Sequence, residues 1–265
     1  MRKNGRVAVG GTDLYYAAFG SGEKTLVVLP GLSDGLATVR GKAWILSLPY
    51  RRYLRDHTVY LFSRKNDMPP GYSIRDMAED QALAMGTLGI GPADLLGVSQ
   101  GGMIAQYLAS EHPETVRKLV LAVTAPNANA VVTEAVSGWI GMAERGDHRA
   151  LMLDTAERTY SEPYLRKNRR FFPLLAALTK PASYERFFRN ASAILEFDAR
   201  GALPGISCPT LILAGSEDRT VGTEAARELN EAITGSELFV YEGLGHGVYE
   251  EAKDFYDRVF AFLDR

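Results

Sequence analysis

The pentapeptide Gly97-Val98-Ser99-Gln100-Gly101 sets a serine between two glycines, directly after the apolar pair Leu95-Leu96 and before the helically spaced Gly102-Met103-Ile104-Ala105. A serine on such a strand-to-helix turn is pushed out of the sheet on a strained backbone. Bulky side chains two residues before or after it would collide with the turn. Its hydroxyl is a poor nucleophile until a base takes the proton, and that base must be oriented by a third group. The spacing therefore predicts nucleophilic chemistry at Ser99 and directs attention to the histidines and carboxylates.

The chain has four histidines, His57, His112, His148 and His246. His246 lies in Gly243-Leu244-Gly245-His246-Gly247, a glycine-rich loop directly after the last predicted strand. Such a loop sits at the carboxyl edge of a sheet, where its imidazole can reach the serine. The other three fit structural places. His57 is in a turn before a strand, His112 ends a helix where a cation suits the dipole, and His148 lies among charges. The orienting acid should also leave a strand's carboxyl end. Asp218, in Gly215-Ser216-Glu217-Asp218-Arg219-Thr220, follows the apolar run Thr210–Ala214; it is the favoured residue, with Glu217 the adjacent competitor.

These three positions need a scaffold. Arg6–Val9 and Leu14–Phe19 flank a Gly10-Gly11-Thr12-Asp13 turn and predict a hairpin. Strands are predicted at Thr25–Leu29, Thr58–Phe62, Asp94–Val98 and Val116–Val123. The helices between them are Trp44–Arg55, Ser73–Leu88 and Gln100–Ser110, the second opening on a serine cap with aspartate three positions on. It places Met77, Leu83, Ala84 and Leu88 near one face. Strands alternating with helices argue a parallel sheet covered on both faces. From Ala125 to Pro204 strand-like runs vanish, and helices are predicted at Ala130–Glu144, Arg149–Thr159, Tyr164–Leu178 and Tyr184–Phe197. The alternation resumes with the strand Thr210–Ala214, a helix Thr223–Ala232, the strand Glu237–Tyr241 and a helix Glu250–Leu263. The reading is an α/β core of residues 1–124 and 205–265, with a helical cap of residues 125–204 over the sheet's carboxyl edge, where open α/β sheets place their ligand sites.

The bulk composition agrees. With 265 residues, 46% apolar and 23% charged, the chain reads as one ordinary globular unit. A net charge of −2 gives no footprint for nucleic acid. One cysteine, Cys208, allows neither an intrachain disulfide nor a cysteine-based metal site, and reads as a small buried apolar residue. No segment reaches the roughly 18 apolar residues of a membrane span, and Met1–Arg6 is not followed by the apolar stretch of a signal peptide. The expectation is a cytoplasmic enzyme with a small-molecule substrate, no nucleic-acid or membrane partner, and no metal or cofactor. A homodimer stays open.

Four features together carry a family resemblance: the turn Gly97–Gly101, the Glu111-His112-Pro113 after its helix, the acid loop at Asp218 and the Gly-x-Gly-His of Gly243–His246. The chain resembles the α/β-hydrolase-fold superfamily, in its cap-bearing group of small esterases, lactonases, perhydrolase-type haloperoxidases and carbon–carbon bond hydrolases. The resemblance covers nearly the whole chain except the cap, and Ser99, Asp218, His246 follow the chain order it implies. It implies an α/β fold with a mostly parallel eight-stranded sheet and an inserted helical cap. It also implies an oxyanion hole of two backbone amides, Gln100 after the nucleophile and Leu32 in the loop after the third strand. Pro30-Gly31 stands where many members carry His-Gly. The glycine-rich aspartate motif after the fourth strand is eroded to Ser63-Arg64-Lys65-Asn66-Asp67.

A serine at position 99, where dehalogenase and epoxide-hydrolase relatives use aspartate, favours attack on acyl carbonyls. The leading expectation is an esterase-like serine hydrolase that cleaves a small, mostly apolar ester or lactone. Carbon–carbon bond hydrolysis and perhydrolysis use the same triad, and a low-turnover small-molecule receptor is the reading from another class. The cap's Trp139, Tyr160, Tyr164, Phe171, Phe172, Tyr184, Phe187 and Phe188 supply its own core and an apolar pocket wall. The run Arg166-Lys167-Asn168-Arg169-Arg170 reads as a solvated helix face.

Overall fold

The computed structural model describes residues 1–265. It opens with the strands β1 (Arg2–Val9), β2 (Thr12–Gly20) and β3 (Lys24–Leu29), followed by a short helix α1 (Ala43–Leu46) and β4 (His57–Lys65). Then come α2 (Ile74–Thr87), β5 (Ala93–Val98), α3 (Gln100–Glu111) and β6 (Val116–Ala122). Five helices intervene before the next strand: α4 (Ala130–Glu144), α5 (His148–Thr159), α6 (Glu162–Asn168), α7 (Phe172–Thr179) and α8 (Glu185–Leu195). The chain closes with β7 (Thr210–Gly215), α9 (Glu224–Ala232), β8 (Glu237–Tyr241), α10 (Val248–Glu251) and α11 (Phe255–Leu263). No helix is long and apolar enough to cross a membrane.

The strands form one eight-stranded sheet in the order β1-β2-β4-β3-β5-β6-β7-β8. Only β2 pairs antiparallel with its neighbours; β4 through β8 run parallel across the sheet. Successive residues of the apolar strands serve opposite faces. Val27 and Leu95 join one buried cluster, together with Met77, Ile104 and Leu108 of α2 and α3. Leu26, Val28 and Leu96 join the other, against Phe255, Val259 and Phe260 of α11. The first cluster continues into the inserted helices through Val132, Trp139, Leu151 and Phe187, so those helices share its packing rather than standing apart.

Local chemistry explains most boundaries. Ser73 caps α2 through a reciprocal box with Asp76, whose amide donates to the Ser73 hydroxyl at 3.1 Å. Five sequence expectations are corrected. The helix expected over Trp44–Arg55 stops at Leu46 and gives way to hydrogen-bonded turns, because Pro49 disfavours helical backbone at Leu48. The helix expected over Tyr164–Leu178 is broken by a 3-10 turn at Arg169–Phe171, and Pro173, which offers no amide, falls in the first turn of α7. The helix expected over Glu250–Leu263 is two helices, because extended backbone at Ala252 separates α10, bonded to the cap, from α11, packed on the sheet. Leu83 is 49% exposed, whereas Met77 and Ala84 on the same helix are fully buried. Cys208 is half-buried against the core.

The tightest point of the scaffold is the start of α3. A Cβ at Gly101 would stand 1.9 Å from the Leu29 carbonyl oxygen, and backbone cannot yield as a side chain can. Gly101→Ala is therefore expected to lose about 1–3 kcal/mol or more through overpacking. Urea unfolding and calorimetry check this; an unchanged midpoint would refute the close approach.

Candidate active site

The parallel strands β3, β5, β6, β7 and β8 end on one edge, and the loops leaving that edge carry the site. Ser99, between β5 and α3, has φ 53° and ψ −120°, a left-handed conformation unusual for a residue with a Cβ. Hydrogen bonds to its backbone hold it there. Its amide donates to Ala122 O at 2.9 Å, and its carbonyl accepts from Gly102 N at 2.8 Å and from the Thr124 hydroxyl at 2.8 Å. Val123, at the end of β6, also has a positive φ of 46°, and its amide donates to Leu213 O at 2.8 Å.

Two loops bring the partners in. His246 Nε2 lies 2.9 Å from Ser99 Oγ, and His246 Nδ1 lies 2.7 Å from Asp218 Oδ2. Both side chains are almost fully buried. The second carboxylate oxygen of Asp218 accepts from the amides of Thr220 and Val221 at 2.8 and 2.9 Å. A carboxylate can only accept, so the bond at Oδ2 assigns the imidazole proton to Nδ1 and leaves Nε2 to accept from the serine. Glu217 points outward and is exposed, which decides between the two adjacent acids.

The glycines of the histidine loop answer to crowding. A Cβ at Gly215, the end of β7, would meet the Gly245 and Leu244 carbonyls at 2.3 Å, and one at Gly245 would meet Thr159 O at 2.8 Å. The loop is thus clamped between the sheet and the end of α5, and Gly247 N donates to Thr159 O at 2.7 Å.

The other histidines stay away from this constellation. His57 begins β4, buried with both ring nitrogens unbonded, and desolvation lowers its pKa. His112 Nε2 lies 2.8 Å from Glu79, and His148 Nε2 lies 3.3 Å from the Thr179 hydroxyl.

Leu32 lines the same cavity as Ser99 and His246. Gln100 is fully buried, with its side chain engaged elsewhere; as the first residue of α3, it has an amide with no helical carbonyl to receive it.

A buried polar network lies behind the site, in the stretch that departs from the family pattern. Arg64 is 1% exposed. Its Nη2 donates to Pro30 O at 2.6 Å and to Gln100 Oε1 at 3.0 Å, joining the loop after β3 to the start of α3. Gln100 Nε2 in turn donates to Asn190 O of α8 at 2.9 Å. Asp34 faces the same group, accepting from Arg64 N at 3.0 Å and from Arg186 Nη2 of α8 at 2.7 Å. Arg186 also donates to the carbonyls of Asp34, Arg64 and Lys65. Desolvation pulls the Arg64 guanidinium down to about 10, with Asp34 opposing, so it remains a cation at neutral pH. Sequence reasoning missed this network. The available signal was an arginine continuing the apolar run Val59–Phe62, where an exposed charge is out of place.

The cavity above Ser99 has a volume of about 360 Å³. Of the cap aromatics, Trp139 and Phe187 line it, alongside Leu151 and Met152. Tyr160, Tyr164 and Phe172 stack on one another with centroids 4.4 and 6.0 Å apart, and Phe171 is exposed. Arg166, Lys167, Arg169 and Arg170 are exposed, as a solvated face requires.

Comparison with known proteins agrees with this architecture. The sequence profile of the alpha/beta hydrolase fold matches residues 24–253. The chain belongs to the alpha/beta hydrolase fold family. It is similar to the serine hydrolase BPHL of Mus musculus, at 28% identity over 264 residues, covering 96% of this chain and 84% of the relative. It is also similar to 3-oxoadipate enol-lactonase 2 of Acinetobacter baylyi, at 25% identity, covering 95% and 93% of the two chains. Among solved structures, an alpha/beta hydrolase from a Medee basin deep-sea metagenome library, MGS-M2, superposes with a TM-score of 0.86 at 21% identity, covering 98% of each chain.

The Arg64 network makes a prediction of its own. In Arg64→Met the carbonyls of Pro30 and Gln100 lose their buried donor, and Asp34 loses a nearby cation. Gln100→Leu removes one of those acceptors. Urea unfolding of the two single variants and the double is expected to give a coupling of about 0.5–3 kcal/mol, the double costing less than the sum. Strict additivity would mean that the two side chains do not act together.

Proposed function

We propose that this alpha/beta hydrolase is a serine hydrolase that cleaves a small, mostly apolar ester or lactone through an acyl-enzyme on Ser99. The observation that carries the proposal is the unbroken hydrogen-bonded chain from Ser99 Oγ through His246 to Asp218, with contacts of 2.9 and 2.7 Å, at the floor of a cavity. The names of the serine hydrolase and enol-lactonase relatives support the same reaction class.

In this mechanism His246 Nε2 takes the Ser99 proton as Oγ attacks the acyl carbonyl. Asp218 holds Nδ1–H and stabilises the imidazolium that forms, itself fixed by two backbone amides. The negative charge on the former carbonyl oxygen falls to the amides of Gln100 and Leu32, dipoles already aimed before the charge appears. His246 then protonates the leaving alkoxide, which departs and leaves Ser99 acylated. Water, deprotonated by the same nitrogen, attacks the ester, and serine takes its proton back as the acid is released. Arg64 serves by tying the two amide-bearing segments together, through Pro30 O on one side and the Gln100 side chain on the other. Apolar walls from Trp139, Leu151, Met152 and Phe187 favour hydrocarbon next to the reacting carbonyl.

Two variants test the assignment against short p-nitrophenyl esters. Ser99→Ala is expected to fold normally and to lose both turnover and labelling by a fluorophosphonate, which in the parent should map to the peptide holding Ser99. Asp218→Asn is expected to lower kcat about 10⁴-fold, because its amide can donate to Nδ1 and so favours the wrong tautomer. Undiminished ester turnover by clean Ser99→Ala protein would rule the mechanism out.

A further inference from the structure

One charged side chain in the cavity has no part in the mechanism above. Among the lining residues there is no lysine, arginine or aspartate; apart from the titratable His246, the only ionisable acid or base other than tyrosine is Glu250. It lies on α10, four residues beyond His246, and is exposed. Its Oε2 accepts from the Tyr160 hydroxyl at 2.6 Å, while Oε1 takes no donor from the protein, and no lysine or arginine pairs with it. The adjacent Glu251 is occupied differently, accepting from the amide and hydroxyl of Ser161 at 3.0 and 2.5 Å. The Glu250 carboxyl is raised by desolvation, drawn back by the Tyr160 hydroxyl and raised again by Glu251, as fits an acid with no cation beside it.

From this asymmetry we infer that Glu250 forms a subsite for a positively charged ammonium group on the substrate, so that the enzyme prefers cationic esters over neutral ones and disfavours esters carrying a carboxylate. The inference rests on the ester-hydrolase reading and deepens it. An apolar cavity with one unpaired carboxylate at its rim attracts a cation and repels an anion, and low-dielectric walls strengthen both effects. The free Oε1 is an acceptor without a donor. Tyr160 fixes the carboxylate through Oε2, so the side chain is already oriented. Tying Tyr160 to the core would be a sufficient role for Glu250 only if its charge were immaterial, and that distinction can be measured.

The test compares kcat/KM within matched substrate sets. In the acyl series, p-nitrophenyl hexanoate is set against its 6-trimethylammonio and 5-carboxypentanoyl (adipoyl) counterparts. In the alcohol series, acetylcholine is set against its neutral carbon isostere 3,3-dimethylbutyl acetate. The parent is expected to favour the cationic member about fivefold or more in one series, and to turn over the carboxylate ester more slowly than the neutral one. In Glu250→Gln, which keeps an acceptor for Tyr160 and removes only the charge, the cation-to-neutral ratio should fall to about one. In Tyr160→Phe, which keeps the charge, the preference should survive. A parent with no cation preference in either series overturns the subsite, as does a preference that persists in Glu250→Gln. Failure to turn over every ester, neutral ones included, would strike instead at the hydrolase reading beneath it.

Discussion

Ser99 can project its hydroxyl over the sheet edge only if its backbone stays in a conformation that a residue with a Cβ rarely adopts, and such strain persists only when its surroundings over-determine it. Here they do. β6 fixes the serine's amide, α3 fixes its carbonyl, and Thr124 adds a side-chain donor to the same oxygen. Thr124 follows a second residue of positive φ, Val123, directly after the neighbouring strand β6. Parallel pairing of β5 with β6 and of β6 with β7 then brings the Asp218 loop to the same edge, two strands along from Ser99. The histidine loop arrives beside it from β8, confined by the carbonyls of Thr159 and Glu217. The reactive arrangement is therefore a property of sheet register more than of any one loop.

Much of this was legible in the sequence, and the reasons are local. The strands β3, β5, β6 and β7 are apolar runs bounded by turn residues, and their existence could be read from that pattern, whereas their order in the sheet comes from the structure. The start of α2 was marked by Ser73 and Asp76, whose side chains satisfy the first helical amides wherever the helix packs. The residues now seen around Ser99 could be found because glycine spacing records backbone crowding, and crowding is what an exposed serine on a tight turn requires. Asp218 could be preferred over Glu217 only weakly; burial by the amides of Thr220 and Val221 decides it.

What the sequence concealed depends on contacts between distant segments. Helical spacing over Trp44–Arg55 and Tyr164–Leu178 was real, but a proline within each stretch overrode periodicity. Arg64 was obscured for a different reason. Its neighbours depart from the expected glycine-rich pattern, and nothing nearby in sequence reveals that its partners are Pro30, Asp34 and Gln100. A buried arginine is tolerable only where acceptors converge on it, and here Pro30 O and Gln100 Oε1 reach its guanidinium from two separate segments while the Asp34 carboxylate lies nearby.

Several hydrogen bonds join the inserted helices to the core, among them Asn129 to Val221 and Gln100 to Asn190, and two groups of them lie beside the candidate site. On one side Arg186 of α8 reaches Asp34 and the carbonyls that follow β4, close to the loop carrying Leu32. On the other, the end of α5 bonds the histidine loop through Gly247, and Tyr160 and Ser161 hold Glu250 and Glu251 of α10. One group therefore borders the loop that carries Leu32, while the other borders the loop that carries His246. The inserted helices are therefore held against both the Leu32 loop and the His246 loop, two segments that line the cavity with Ser99.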